Sequence, residues 1–194
     1  MANGTNTIIF STKQDLTLWL NAQGVDTDSW GMSRSKSIDD LWNELLAQDC
    51  YLSTGPKRIV RIAVILIENG GKLLFEEKQE LKDGRIRSRN KPPREKIQEG
   101  ESVLEAVKRC VEQELSLSQD LFNIVQIHEE PTYLTRESDS YPGLTTVYSQ
   151  HFAKVYAPSL PGASFETEER GHEHDPVRRH WWTWADRSQL DFPI

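Results

Sequence analysis

The apolar positions of this chain change their period along its length, and that change predicts its elements. Leu16, Trp19 and Leu20 recur at helical spacing behind Ser11, which can cap the helix, and Gly24 stops it. Ser37 with Asp40 marks a second helix start, carrying Leu41, Trp42, Leu45 and Leu46. The polar stretch VDTDSWGMSRSKS between them holds Trp30. Residues 1–57 therefore read as an N-terminal helical extension, packed through its tryptophans or serving as a partner surface or lid. From Arg58 the pattern turns to strands. RIVRIAVILI is β-branched and nearly continuous, as a strand buried on both faces is. Asn69-Gly70-Gly71 is a hairpin signal leading into KLLFEEKQEL, and Asp83-Gly84 a second turn leading into RIRSR.

The stretch from Arg94 to Leu117, REKIQEGESVLEAVKRCVEQELSL, organises the rest. Ser102 followed by Glu105 is a capping box, so a helix over 103–115 starts near Val103. Leu104, Val107, Val111 and Leu115 form its buried stripe, flanked by Cys110, Gln113 and Glu114, while Glu105, Arg109 and Glu112 face away. Beyond it, LFNIVQIHEEPTYL and TTVYSQHFAKVYA read as two strands joined by RESDSYPG. PGASFETEERGHEHDP reads as a long polar loop, and RRHWWTWADRSQL as a closing strand with a short capped helix.

The Arg94–Leu117 stretch resembles the Nudix box, G-x5-E-x7-R-E-U-x-E-E-x-G-U with U aliphatic, of the Nudix hydrolases. Glu101 falls on the first glutamate, Arg109 on the arginine, Val111 and Leu117 on the aliphatic positions, and Glu114 on the last glutamate. Glu95 replaces the opening glycine, Cys110 the glutamate after the arginine, Gln113 the first of the paired glutamates, and Ser116 the closing glycine. The resemblance covers about residues 58–190 and implies an α/β fold, a Nudix-like α/β/α sandwich with a mixed β-sheet, over residues 58–194. It also implies a divalent metal held by the helix glutamates. One of the three carboxylates after the arginine remains, so Glu114, with Glu101, is the expected metal pair, and Mg2+ or Mn2+ binding is expected to be weak. These hard ions take oxygen donors, whereas Cys110 offers a soft thiol and Gln113 a neutral carbonyl. In several members a glutamate before the last strand is the general base; Glu168 or Glu169 matches it, with Glu114 completing the catalytic set.

Charge sharpens the picture. The 194-residue chain carries a formal charge of -7, which disfavours a general nucleic-acid or anionic-membrane binder. Yet Lys82, Arg85, Arg87, Arg89, Lys91, Arg94 and Lys96 crowd into one segment just before the box. Alternate arginines on a strand share a face, so Arg85, Arg87, Arg89 and Arg94 are candidate ligands for phosphate oxygens, or else a charged edge strand. His172 and His174, beside Glu166, Glu173 and Asp175, offer either metal ligands or a solvated loop. Cys50 and Cys110 fit no metal or disulfide spacing and read as free buried thiols. The opening MANGTNTIIFSTKQD lacks a signal-peptide core, and the apolar run Ile62–Ile67 is too short for a bilayer, so a cytoplasmic protein is expected. Two functional readings stand: a binding protein for a phosphate-containing small molecule or a protein partner, with hydrolase activity weak or lost, and an active metal-dependent hydrolase of nucleoside diphosphate derivatives.

Overall fold

The structure, a computed structural model, describes residues 7–32, 35–128, 130–171 and 176–189. In chain order it runs β1 (Thr7–Ile8), α1 (Lys13–Ala22), α2 (Ile38–Leu46), β2 (Tyr51–Ser53), β3 (Lys57–Asn69), β4 (Lys72–Leu81), β5 (Ile86–Lys91), β6 (Arg94–Lys96), α3 (Val103–Gln113), β7 (Asn123–Ile127), β8 (Thr132–Glu137), β9 (Thr145–Tyr156), β10 (Phe165–Glu168) and β11 (Val177–Ala185). The described residues fall into two compact units, one within Met1–Ile62, Lys96–Glu101 and Pro131–Gln150, the other within Ala63–Glu95, Ser102–Glu130 and His151–Ile194.

The first unit is built around buried charge. Its helices begin at capping boxes: Thr12 with Asp15 for α1, one residue beyond the expected Ser11, and Ser37 with Asp40 for α2. Each box satisfies two backbone amides that the first helical turn leaves unpaired. Leu16, Leu20 and Leu41 are fully buried, whereas Trp19 and Trp42 are half-buried. On the inner side of α2, Glu44 is buried and pairs with the buried Arg58. Lys36 Nζ lies 2.6 Å and Lys96 Nζ 3.8 Å from the same carboxylate. Burial pushes the Glu44 carboxyl up, but Arg58, Lys96 and Lys36 together carry it down to about 2. The Arg58 guanidinium sits 5.4 Å from the centroid of the buried Tyr141 ring. Trp30 packs on that ring at 5.1 Å and donates its indole N–H to the Pro142 carbonyl at 3.0 Å. The polar segment around Trp30 is thus pinned by its one large aromatic side chain. A two-stranded hairpin completes the unit, with Thr132↔Gln150 to Glu137↔Thr145 in antiparallel register. The segment expected as one strand, LFNIVQIHEEPTYL, is therefore two, β7 and β8. Pro131, which has no N–H for a ladder, lies between them.

In the second unit, Ala63 to Ile67 are buried at every position, as their continuous apolar pattern predicts. Gly70 and Gly71 close the β3–β4 hairpin as a two-residue turn with φ of 57° and 80°, between the pairs Asn69↔Lys72 and Glu68↔Leu73. β4 pairs antiparallel with β5 on one side and β11 on the other, and β10 extends β11. β10 lies inside the segment expected to be only a polar loop. Its register, Phe165↔Trp182 and Thr167↔His180, shows the alternation that the surrounding acidic residues disguise. α3 starts at the Ser102–Glu105 box as expected and ends at Gln113. Ala106, Val107, Cys110 and Val111 are its buried residues, and Leu115 is buried just beyond. Leu104, expected in the stripe, is 41 % exposed. At 3.6 residues per turn it lies about a quarter turn from the centre of the buried arc. The α/β architecture is the one expected from the box.

Removing the charge of Glu44 tests the buried network. Glu44→Gln leaves Arg58 buried without its counter-charge and is expected to cost about 3–5 kcal/mol in urea unfolding. The wild-type contribution is present above the ordinary carboxylate value of 4.5 and is lost as pH falls through about 2. An acid melt should therefore flatten in that window for the variant.

Candidate functional site

The site grows from β4, β11 and the end of α3. Glu76 interrupts the buried run Leu73–Phe75 of β4 and is itself 2 % exposed, while His180 stands on β11 at 1 %. A buried carboxylate and a buried imidazole are stable only with partners. His180 Nδ1 lies 2.5 Å from Glu76 Oε1, and Nε2 lies 2.7 Å from Glu169 Oε2. The Trp182 ring stacks on the imidazole at 5.5 Å with an interplanar angle of 17°. Both ring nitrogens therefore face carboxylate oxygens, an arrangement that suits the doubly protonated ring. Burial opposes that charge, but the bonds to Glu169 and Glu76 and the nearby Glu114 outweigh it and raise His180 to about 10. For Glu76 too, burial works upward, and the bonds from His180 and Arg89 bring it below the ordinary carboxylate value.

Glu114 joins this cluster from the C-terminal end of α3. Single ligand atoms of Glu76, Glu114 and His180 all lie within 4.8 Å of one another. Glu114 is half-buried, and its carboxyl is pushed well up by burial and by the charge of Glu76, with Glu95 and Glu169 adding and His180 opposing. Beneath it Cys110 is fully buried, its thiol raised by burial and then by Glu114, Glu95 and Glu76. It is a protonated, inert side chain at a position where the family pattern has a glutamate. Glu95, on β6, pairs with Arg109 of α3 at 3.2 Å.

A strap holds Glu169 in place. Thr167 Oγ1 donates to the Glu114 carbonyl at 2.5 Å and accepts the Trp182 indole N–H at 2.8 Å. The Arg170 N–H donates to the Gln113 carbonyl at 3.1 Å, and Ser116 Oγ to the Glu168 carbonyl at 3.4 Å. The bonds to the Gln113 and Glu114 carbonyls satisfy groups that the end of a helix leaves free. They also separate the two candidate bases: Glu168 is exposed, whereas the Glu169 side chain is 7 % exposed against His180.

Of the other sequence candidates, Glu101 accepts the Gln98 N–H at 2.9 Å and is not among the three clustered ligands. Arg89 Nε donates to Glu76 at 3.0 Å, and Arg87 to the buried Gln79, so both reach β4 beside the cluster. Arg85 turns back to Asp83 in solvent at 2.7 Å, and Arg94 is half-buried on β6. His172, Glu173, His174 and Asp175 lie outside the described residues. Sequence reasoning missed Glu76, His180 and Glu95. The available signals were a lone glutamate ending an apolar run, KLLFE, and a lone histidine entering an aromatic one, HWWTW.

Whether these donors fit Mg2+ or Mn2+ follows from their chemistry. Glu76, Glu114, Glu169 and Glu95 are hard oxygen donors, but Glu76 and Glu169 already clasp His180. His180 has no lone pair left while both its nitrogens donate, and Cys110 is a thiol. Glu76, Glu114 and His180 stand close enough to share an ion, but His180 could ligate only after giving up a proton and one of its carboxylate partners.

Ser116 stands where the box pattern has its closing glycine. Ser116 has φ 57°, a left-handed conformation that costs a residue with a Cβ roughly 1 kcal/mol. Ser116→Gly should raise stability by about 0.5–1 kcal/mol in chemical denaturation, less the weak Oγ bond to Glu168.

The family model for the NUDIX domain matches residues 57–192. No curated protein matches the chain. Among solved structures, it is similar to a C. elegans Ap4A hydrolase in a binary complex, at 17 % identity over 67 % of this chain and 81 % of that one, with a TM-score of 0.36. A NUDIX hydrolase from Nitrosomonas europaea is 19 % identical over 69 % and 81 %, with a TM-score of 0.37. The E. coli dihydroneopterin triphosphate pyrophosphohydrolase is 16 % identical over 66 % and 80 %, with a TM-score of 0.35. Likeness at this level says nothing of substrate. Among the described residues no helix is long and apolar enough to cross a membrane. On the match of the family model, which spans most of its length, the chain belongs to the NUDIX family.

Proposed function

We propose that this Nudix-fold protein binds a phosphate-containing small molecule beside a carboxylate cluster whose counter-ion is its own His180, with metal-dependent hydrolysis weak or lost. The observation that carries the reading is the double clasp of His180 by Glu76 and Glu169, at 2.5 and 2.7 Å. A positive charge already sits among the carboxylates, and the box helix has lost two of its three acidic side chains to Cys110 and Gln113. A dication arriving there meets a like charge and fewer hard donors. Arg87 and Arg89, reaching β4 next to this cluster, supply forked donors for phosphate oxygens. In this reading Glu114 and Glu169 shape the site electrostatically. A second reading, an active metal-dependent hydrolase of nucleoside diphosphate derivatives, is favoured by one observation: Glu76, Glu95 and Glu169 gather around Glu114 and could replace the lost box carboxylates.

Restoration separates the two readings. Cys110→Glu with Gln113→Glu rebuilds the box stripe, and each added carboxylate facing the ion should strengthen Mn2+ binding by at least about tenfold. In thermal-shift titrations the parent should show little Mg2+ or Mn2+ stabilisation and the double variant a clear rise. A parent that hydrolyses nucleoside diphosphate derivatives at about 1 per second or faster with Mg2+ establishes the second reading. Arg87→Ala with Arg89→Ala should weaken binding of ADP about tenfold or more by calorimetry; unchanged affinity would leave the arginines as edge-strand charge alone.

A further inference from the structure

The tip of the β3–β4 hairpin, the 162–164 segment and the last residues of β11 form an open groove of about 380 Å³. Its walls include Asn69, Lys72, Ser164, Thr183 and Trp184, none of them in the carboxylate cluster. Trp184 is half-buried, and its indole N–H is committed to the Pro161 carbonyl at 2.9 Å, which fixes the ring as an apolar wall. Lys72 is exposed at the groove, and among the described residues its ammonium makes no ion pair or hydrogen bond. Ser164 Oγ donates to Thr183 Oγ1 at 3.2 Å, which leaves the Thr183 hydroxyl proton to donate elsewhere. Gly70 and Gly162 also line the groove, and at both nothing stands within 4 Å of where a Cβ would project, so a ligand can approach the backbone floor.

We propose that this groove is a second binding site, for a small planar ring that carries an anionic group, of the nucleoside monophosphate type. The ring lies on Trp184, where stacking tolerates any flat heterocycle. The anion meets Lys72, and a ring or sugar substituent accepts from Thr183. A volume of about 380 Å³ lies near the lower end of the roughly 300–1,000 Å³ usual for small-molecule sites. It is large enough for a mononucleotide.

The experiment is calorimetric titration of AMP into the full chain bearing Arg87→Ala and Arg89→Ala, which removes the phosphate contacts proposed above. AMP should still bind with one site, and adenosine or inorganic phosphate alone should bind at least about tenfold more weakly. Adding Lys72→Glu or Trp184→Leu should each weaken AMP about tenfold or more. Lys72 is solvent-facing, so its variant should keep the parent's melting curve and stay interpretable if Trp184→Leu misfolds. The proposal falls if AMP binding vanishes with the two arginines, if it ignores Lys72→Glu, or if adenosine or phosphate alone binds as well as AMP. Failure here leaves the His180 reading untouched, because that reading is judged by metal titration and by the arginines in an otherwise unchanged chain.

Discussion

Three carboxylates crowd around one imidazole in the second unit, and most of what is specific to that unit depends on how their charge is settled. Glu76 and Glu169 each give an oxygen to His180, and Glu114 stands within reach of the same ring. Without a cation, three carboxylates in so small a space would repel one another, and protons would be taken up until the repulsion fell. The imidazolium and the Arg89 guanidinium, 3.0 Å from Glu76, supply the two positive charges that Glu76 and Glu169 need. Glu114 is pushed towards the neutral form by burial and by the charge of Glu76. Charge balance is thus reached inside the protein, by side chains of β4, β5, β11, α3 and the segment after β10.

That balance gives physical meaning to the departures from the box. A glutamate at position 110 would be a further buried negative charge next to Glu114, Glu95 and Glu76, the groups that already push the Cys110 thiol upward. With a divalent ion present such a charge is an asset. With a monovalent imidazolium it is uncompensated, and a small apolar thiol fits better. Gln113 keeps the size of a glutamate while dropping its charge, and its backbone carbonyl still receives the Arg170 N–H. The uncharged side chains at 110 and 113 and the charged His180 are thus electrostatically compatible.

Much of the fold was legible because its signals are local. The Ser37–Asp40 and Ser102–Glu105 boxes, the Asn69-Gly70-Gly71 turn and the unbroken apolar run of β3 each encode their structure within a few residues. Ser11 for Thr12, the outward Leu104 and the division at Pro131 are errors of one residue or one side of a helix, which pattern alone does not resolve. The site was legible only at Glu114 and Glu169, through the family resemblance. Glu76 and His180 are far apart in sequence and meet only because β4 and β11 pair, with Gln79 opposite His180 and Glu76 opposite Trp182. No periodicity in either strand marks that pairing. β10 was hidden for a related reason: Phe165 and Thr167 alternate with Glu166 and Glu168, and the acidic residues dominate the composition of a four-residue strand.

The contacts that hold the end of α3 do not depend on the side chains at 113 and 114. The strap across the end of α3 is bonded to the carbonyls of Gln113 and Glu114, through the Arg170 N–H and the Thr167 hydroxyl. Those carbonyls exist whatever side chains stand at 113 and 114. Ser116 keeps the left-handed turn of the closing glycine at a small cost and adds a hydroxyl bond to the strap. Trp182 reads its position from Thr167 and from the face of His180, and neither contact involves a metal. Backbone bonding at the helix end therefore fixes where Glu169 points, while the side chains of the helix are released to change their chemistry.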